Sequence, residues 1–157
     1  MNETRLRGAS IADSVIDRLN APVLRAANSS LRDVEITGSR IASAEFHGTS
    51  WRSVRFTGCK LGYLNLRGAE IHDLLITDCT IEELDVSDAK LTRAACERTR
   101  IDTLIAAHAA LTDVDLRDAS LRRIDGIQGL RGATMSSSQI ADLAEVFAEM
   151  LGIHTTP

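Results

Sequence analysis

The sequence predicts an all-β fold, a quadrilateral coil whose sides are five residues long. Three observations predict it: an apolar residue at every fifth position, a second size pattern at a period of 20, and few aromatic residues despite 44% apolar content. Stepping by five from Leu6 gives Leu6, Ile11, Ile16, Ala21, Ala26, Leu31, Ile36, Ile41, Phe46, Trp51, Phe56 and Leu61. The series runs on through Leu66, Ile71, Ile76, Ile81, Val86, Leu91, Cys96, Ile101, Ala106, Leu111, Leu116 and Leu121, with every member apolar. The chance of this is on the order of 10⁻⁸, even allowing for five phases. A period of five is neither the helical 3.6 nor the strand period of 2. It fits an extended chain that turns a corner every five residues. Each residue of the series is the centre of one side. The residue two before it shares the inward face, because alternate residues of an extended segment do. The other three positions hold most of the Arg, Asp, Glu, Gly and Thr and face water.

Four sides make a coil of 20 residues, so residues 20 apart should stack. The pre-centre positions support this. One column reads Ala9, Ser29, Thr49, Ala69, Ala89, Ala109, and another reads Leu19, Ser39, Cys59, Cys79, Thr99, Ala119. A third, Leu24, Ala44, Leu64, Leu84, Leu104, Ile124, is mostly large. Where the pre-centre residue grows, the centre shrinks: Leu19 precedes Ala21, and Leu104 precedes Ala106. Conversely, Ala44 precedes Phe46. A fixed interior volume demands such trade-offs. Six coils are expected, from about residue 4 to about residue 125. Their length is about 29 Å at an inter-strand spacing of roughly 4.8 Å.

The stretches Leu64-Asn65-Leu66, Leu84-Asp85-Val86 and Val114-Asp115-Leu116 resemble the pentapeptide-repeat family, whose consensus is Ala, Asp or Asn, Leu, then two variable residues. The resemblance covers about three quarters of the chain. It implies a right-handed quadrilateral β-helix. The Asp/Asn position departs from that consensus on most sides.

The repeat occupies residues 1–126, and residues 127–157 form a C-terminal cap within the same structural domain. Pro22 lacks an N–H, so irregularity is expected near residues 19–28. In the cap, Ser136 and Gln139 have capping-box spacing, Met135 and Ile140 occupy the staple positions, and Gly152 suits a left-handed C-cap. Between them Ile140, Leu143, Phe147, Met150 and Leu151 form one apolar stripe. This stripe can close the last coil. The family resemblance also implies that two chains pair through it; the alternative is a simple cap on a monomer.

No run of 18 apolar residues exists and Met1–Arg5 has no apolar leader, so neither a membrane span nor a signal peptide is expected. Three cysteines, an odd number, read as reduced thiols in a cytoplasm. The net charge of −4 gives no basic footprint for direct nucleic-acid binding. Cys59 and Cys79 stack in adjacent coils, either as small core residues or as a disulfide or metal pair. His47, His72, His108 and His154 fall outside the inward positions and read as exposed, with no partner for general-base chemistry. Phe46, Trp51 and Phe56 read as an inward aromatic layer, in which the Trp51 N–H needs an acceptor. No nucleophile–base pair, phosphate loop or metal-ligand cluster emerges, so no enzyme, cofactor or metal is expected.

The charges carry the functional reading. Between Gly68 and Ala89 lie Glu70, Asp73, Asp78, Glu82, Glu83, Asp85 and Asp88, with no Lys or Arg. Residues 1–67 hold ten Lys/Arg and six Asp/Glu, whereas residues 68–157 hold eight and sixteen. The rod is therefore polarised along its axis. These seven carboxylates, with outward positions, form a candidate belt for a basic partner; the alternative is ordinary solvated surface. The quinolone-resistance members of the family, including the mycobacterial type, are similar in architecture. That resemblance implies a DNA-mimicking binder of DNA gyrase. A scaffold or regulatory protein with an unrelated partner is the second reading.

Overall fold

The computed structural model describes residues 3–157. The chain forms a parallel β-solenoid of two seven-stranded sheets. One sheet contains Glu3–Arg5, Asn20–Arg25, Arg40–Glu45, Lys60–Asn65, Thr80–Asp85, Thr99–Ile105 and Ala119–Asp125. The other contains Ser10–Asp17, Ser30–Thr37, Ser50–Thr57, Glu70–Thr77, Lys90–Glu97, Ala110–Asp115 and Ala133–Thr134. Register follows the 20-residue step throughout the repeat: Leu31 pairs with Trp51, Trp51 with Ile71, and Ile81 with Ile101. The solenoid has about seven turns rather than six. The extra rung comes from the ends, where Glu3–Arg5 pairs with Val23–Arg25 and Ala133–Thr134 with Val114–Asp115. The last pairing falls one residue short of the 20-residue step, because the chain leaves the repeat through a 3-10 turn, Ile127–Leu130.

Every centre from Ala21 to Ala106 is buried. Leu6, Ile11 and Ile16 of the first rung, and Leu111 and Leu121 near the last, are half-buried because they lack a full coil on one side. The aromatic layer points inward as expected. Phe46 meets Trp51 edge to face at 5.0 Å, and Trp51 meets Phe56 at 5.7 Å. The Trp51 Nε1 is buried without an acceptor among the described residues.

Three of the four corners place a residue in the left-handed region. One runs through Gly8, Asn28, Gly48, Gly68, Asp88 and His108, and the next through Asp13, Asp33, Ser53, Asp73, Arg93 and Asp113. The third runs through Arg18, Gly38, Gly58, Asp78 and Arg98. Gly, Asn and Asp dominate these corners because they tolerate positive φ best. At the fourth corner the ladder steps over one position: Ala21 pairs with Ile41 and Val23 with Ser43, with no pairing between them. Pro22 stands at that position. It has no ladder hydrogen bond to lose, so the irregularity expected around residues 19–28 is absent and Asn20–Arg25 is an ordinary strand.

The second small column does more than save volume. The Leu19 N–H donates to Ser39 Oγ at 3.0 Å, the Cys59 N–H to Cys79 Sγ at 3.4 Å, and the Cys79 N–H to Thr99 Oγ1 at 3.4 Å. Side-chain heteroatoms thus link coils at this corner. Cys59, Cys79 and Cys96 are all free and buried. Hydrogen bonding with Cys59 and burial both push the Cys79 thiol up, and burial raises Cys96 to about 12.

The C-terminal segment contains two short helices, α1 (Ser137–Asp142) and α2 (Ala144–Met150), which meet at Leu143. The capping box forms as expected, and Gln139 Nε2 also donates to the Leu116 and Ala119 carbonyls, tying α1 to the final coil. Gly152 has φ 73°, and the Ile153 N–H returns to the Ala148 carbonyl. The break at Leu143 divides the expected stripe. Leu143 is buried and Phe147 packs against the core, whereas Ile140 and Leu151 are exposed.

Candidate protein-binding face

The seven carboxylates do not form a uniform belt. Glu83, Asp88, Asp73 and Asp78 occupy the four corners of the square, so a flat partner surface can reach two adjacent corners and the side between them. Asp73 and Asp78 flank the side centred on Ile76, while Glu83 and Asp88 flank the opposite side, centred on Val86.

The Ile76 side is neutralised from the next coil. Arg93 contacts Asp73 through Nε and Nη2 at 2.7 and 3.0 Å. Arg98 contacts Asp78 at 2.8 and 3.4 Å and holds its carboxyl below the usual carboxylate range. The expectation that no Lys or Arg offsets these charges is corrected here: no cation lies within the segment, but residues 20 further on lie beside it. Asp73, Asp78 and Asp88 also have φ of 62°, 52° and 58°, so the backbone itself favours Asp at those corners.

Asp85 is a second correction. It was expected to point outward and is only 2% exposed. Its carboxylate accepts from the Ser87 N–H at 2.9 Å, the Tyr63 hydroxyl at 3.1 Å and Arg67 Nη1 at 3.2 Å. Burial alone would raise this carboxyl, but these hydrogen bonds hold it below the usual range. Burial, followed by the Asp85 charge, raises the Tyr63 phenol to about 12. Sequence reasoning missed Tyr63 and Arg67 here. The signal was available at spacings of 22 and 18, one coil back and two positions to either side.

Glu70, Glu82, Glu83 and Asp88 make no ion pair among the described residues. Glu83 and Asp88 stand at the two corners of the Val86 side, Glu82 lies just before the first of them on the neighbouring Ile81 side, and Glu70 lies just past the second. In the first half, Glu3, Asp13, Asp17, Asp33, Glu35 and Glu45 are all paired with arginines, which leaves Arg7, Arg40, Arg52 and Lys60 as its unpaired charges among the described residues. The polarity along the axis therefore survives pairing.

The chain is a four-cornered parallel β-solenoid with five-residue sides. The five-residue side, the 20-residue register and the inward centres define that architecture. No family model and no curated protein matches the sequence. Among solved structures, full-length QnrB1, a plasmid-mediated fluoroquinolone resistance protein, is similar at 16% identity. It covers 96% of this chain and 99% of that one, with a TM-score of 0.36. A trypsin-treated QnrB1 variant is similar at 16% identity over 99% of both chains, with a TM-score of 0.32.

The remaining expected sites are distributed as follows. His108 and His154 are exposed as expected, whereas His47 and His72 are half-buried and correct the expectation. The His47 Nδ1 is buried and has no partner among the described residues. No group of three potential metal ligands occurs among the described residues. No helix is long and apolar enough to cross a membrane.

Proposed function

We propose that this solenoid is a non-catalytic protein-binding module that presents its Val86 side to a basic protein surface. The observation that carries the reading is the unpaired Glu83 and Asp88 at the two corners of one side, with the unpaired Glu82 next to the first corner, opposite a side whose carboxylates are neutralised. Unpaired carboxylates on a rigid face raise the local negative potential and steer a cationic partner toward it. A DNA-binding surface is such a partner, since it is built to neutralise phosphates with Lys and Arg. The resemblance to the quinolone-resistance members of the family makes DNA gyrase the specific candidate, with the solenoid acting as a DNA mimic. The test is a gyrase supercoiling assay with the purified protein. Inhibition at micromolar concentration that weakens steeply between low and 0.2 M salt supports the reading, because opposed surface charges are screened beyond about 10 Å at 0.1 M. Unchanged supercoiling removes gyrase as the partner.

A further inference from the structure

The C-terminal cap leaves a pocket that the acidic face does not use. Its volume is about 530 Å³, and its lining includes His108, Ile127, Gln128, Arg131, Met150 and Leu151. Its walls are set by close packing. A Cβ at Gly126 would come within 2.6 Å of the Ala107 nitrogen, and one at Gly129 would strike the Ala106 carbonyl oxygen. The 3-10 turn is therefore seated directly on the corner before His108.

Two features give the pocket donors without acceptors. Along this corner the N–H groups of Gly8, Asn28, Gly48, Gly68 and Asp88 each donate to a carbonyl of the next coil. His108 is next in the column and makes no such bond, because the chain has already turned into Ile127–Leu130. Arg131, at the rim, makes no ion pair among the described residues, unlike Arg117 and Arg123 nearby in the chain. The same lining holds the apolar Ile127 and Met150, together with Leu151, which is 60% exposed.

We propose that this pocket binds a small carboxylate with an apolar body. Its carboxylate would engage Arg131 and the His108 N–H, and its hydrocarbon would cover Met150, Leu151 and Ile127. A charge-assisted Arg–carboxylate contact is the strongest polar contact these donors can make. Asp88 occupies the same corner one coil earlier, so the site favours a single negative charge over two.

Decanoate is a suitable probe, titrated against the full chain by calorimetry and by amide shifts in NMR. Saturable binding is expected, with shifts at His108, Ile127 and Leu151. Decanol and decanedioate should each bind on the order of tenfold more weakly, a loss of about 1.4 kcal/mol. Arg131→Gln should cause a similar loss, and Arg122→Gln, which alters another exposed arginine outside the pocket, should cause none. Equal affinity for decanoate and decanol, unchanged binding by Arg131→Gln, or no binding at millimolar decanoate would each overturn the proposal. A merely structural role for Arg131 would weaken decanol and decanoate alike.

Discussion

Arg93 stands one coil beyond Asp73 and grips its carboxylate with two nitrogens, at 2.7 and 3.0 Å. Arg98 does the same to Asp78 at the next corner. Exposed ion pairs add little to stability. Their effect on the surface potential is larger, because they remove two charges from one side of the rod and leave the opposite side anionic.

Replacing both arginines by glutamine should therefore create a second acidic side without unfolding the protein. Circular dichroism should be unchanged. Affinity for a basic partner should rise and depend more steeply on salt. An unchanged affinity would mean that the partner does not respond to the potential around this coil.

Tyr63 is the only tyrosine in the chain, so ultraviolet titration of phenolate reads it alone. Its midpoint should lie near 12, against about 10 for a free phenol. Asp85→Asn should lower that midpoint by removing the adjacent charge. Because the folded phenol titrates higher than the unfolded one, its contribution is present below about pH 10 and is lost as pH rises toward 12. Asp85 has the opposite sign. Its folded value is depressed, so its contribution holds above about pH 4 and fades as pH falls. Asp85→Ala should cost about 1–3 kcal/mol in denaturant unfolding, since it leaves the buried Ser87 N–H without its acceptor and removes the acceptor of Tyr63. A loss under 0.5 kcal/mol would show that water replaces the carboxylate freely.

The repeat was legible because a fixed lumen constrains every inward residue, and apolar identity at period five reports that constraint directly. The site was less legible for a geometric reason. A run of carboxylates read along the chain encircles the rod, so sequence neighbours such as Asp78 and Glu83 stand at different corners. Their spatial neighbours are 20 residues away, which is where Arg93 and Arg98 occur. Asp85 shares the outward alternation of Glu45 and Asn65 in its column, and only the approach of Tyr63 and Arg67 buries it. The break at Leu143 was also hidden, because Ile140, Leu143 and Phe147 fit one helical stripe by spacing alone.

Ala94 is smaller than its stacked neighbours Leu74 and Val114, and an apolar cavity of about 30 Å³ lies beside it and Cys96. Ala94→Val should fill this space and stabilise the protein by on the order of 1 kcal/mol. Thermal melting checks this, and a lower melting temperature would show that the site is already full.

The cap offers two substitutions with different outcomes. Leu143→Asp should destabilise the last coil severely, because it places an unpaired carboxylate at a position only 3% exposed. Ile140→Lys alters an exposed residue and should leave the fold intact. If two chains pair through the cap, sedimentation should give a dimer for the unaltered chain and a monomer for Ile140→Lys. A monomeric unaltered chain would remove the pairing altogether.

The division of the acidic coil into two sides can be tested by charge reversal. Glu83→Lys and Asp88→Lys convert the corners of the Val86 side from anionic to cationic, and Glu82→Lys extends the change just past the first corner. Glu82 and Asp88 are exposed, Glu83 is half-buried, and none is in an ion pair, so the β signal should persist. Binding to a basic partner should fall by at least tenfold, and the salt dependence should flatten or reverse sign. The matching change on the opposite side, Asp73→Lys with Asp78→Lys, sets lysines against Arg93 and Arg98. It should lower the melting temperature slightly through like-charge repulsion and alter binding little, because those carboxylates were already neutralised. Equal losses from both sets would indicate that the partner senses only total charge. Loss from the second set alone would place the contact on the Ile76 side and invert the assignment of the binding face.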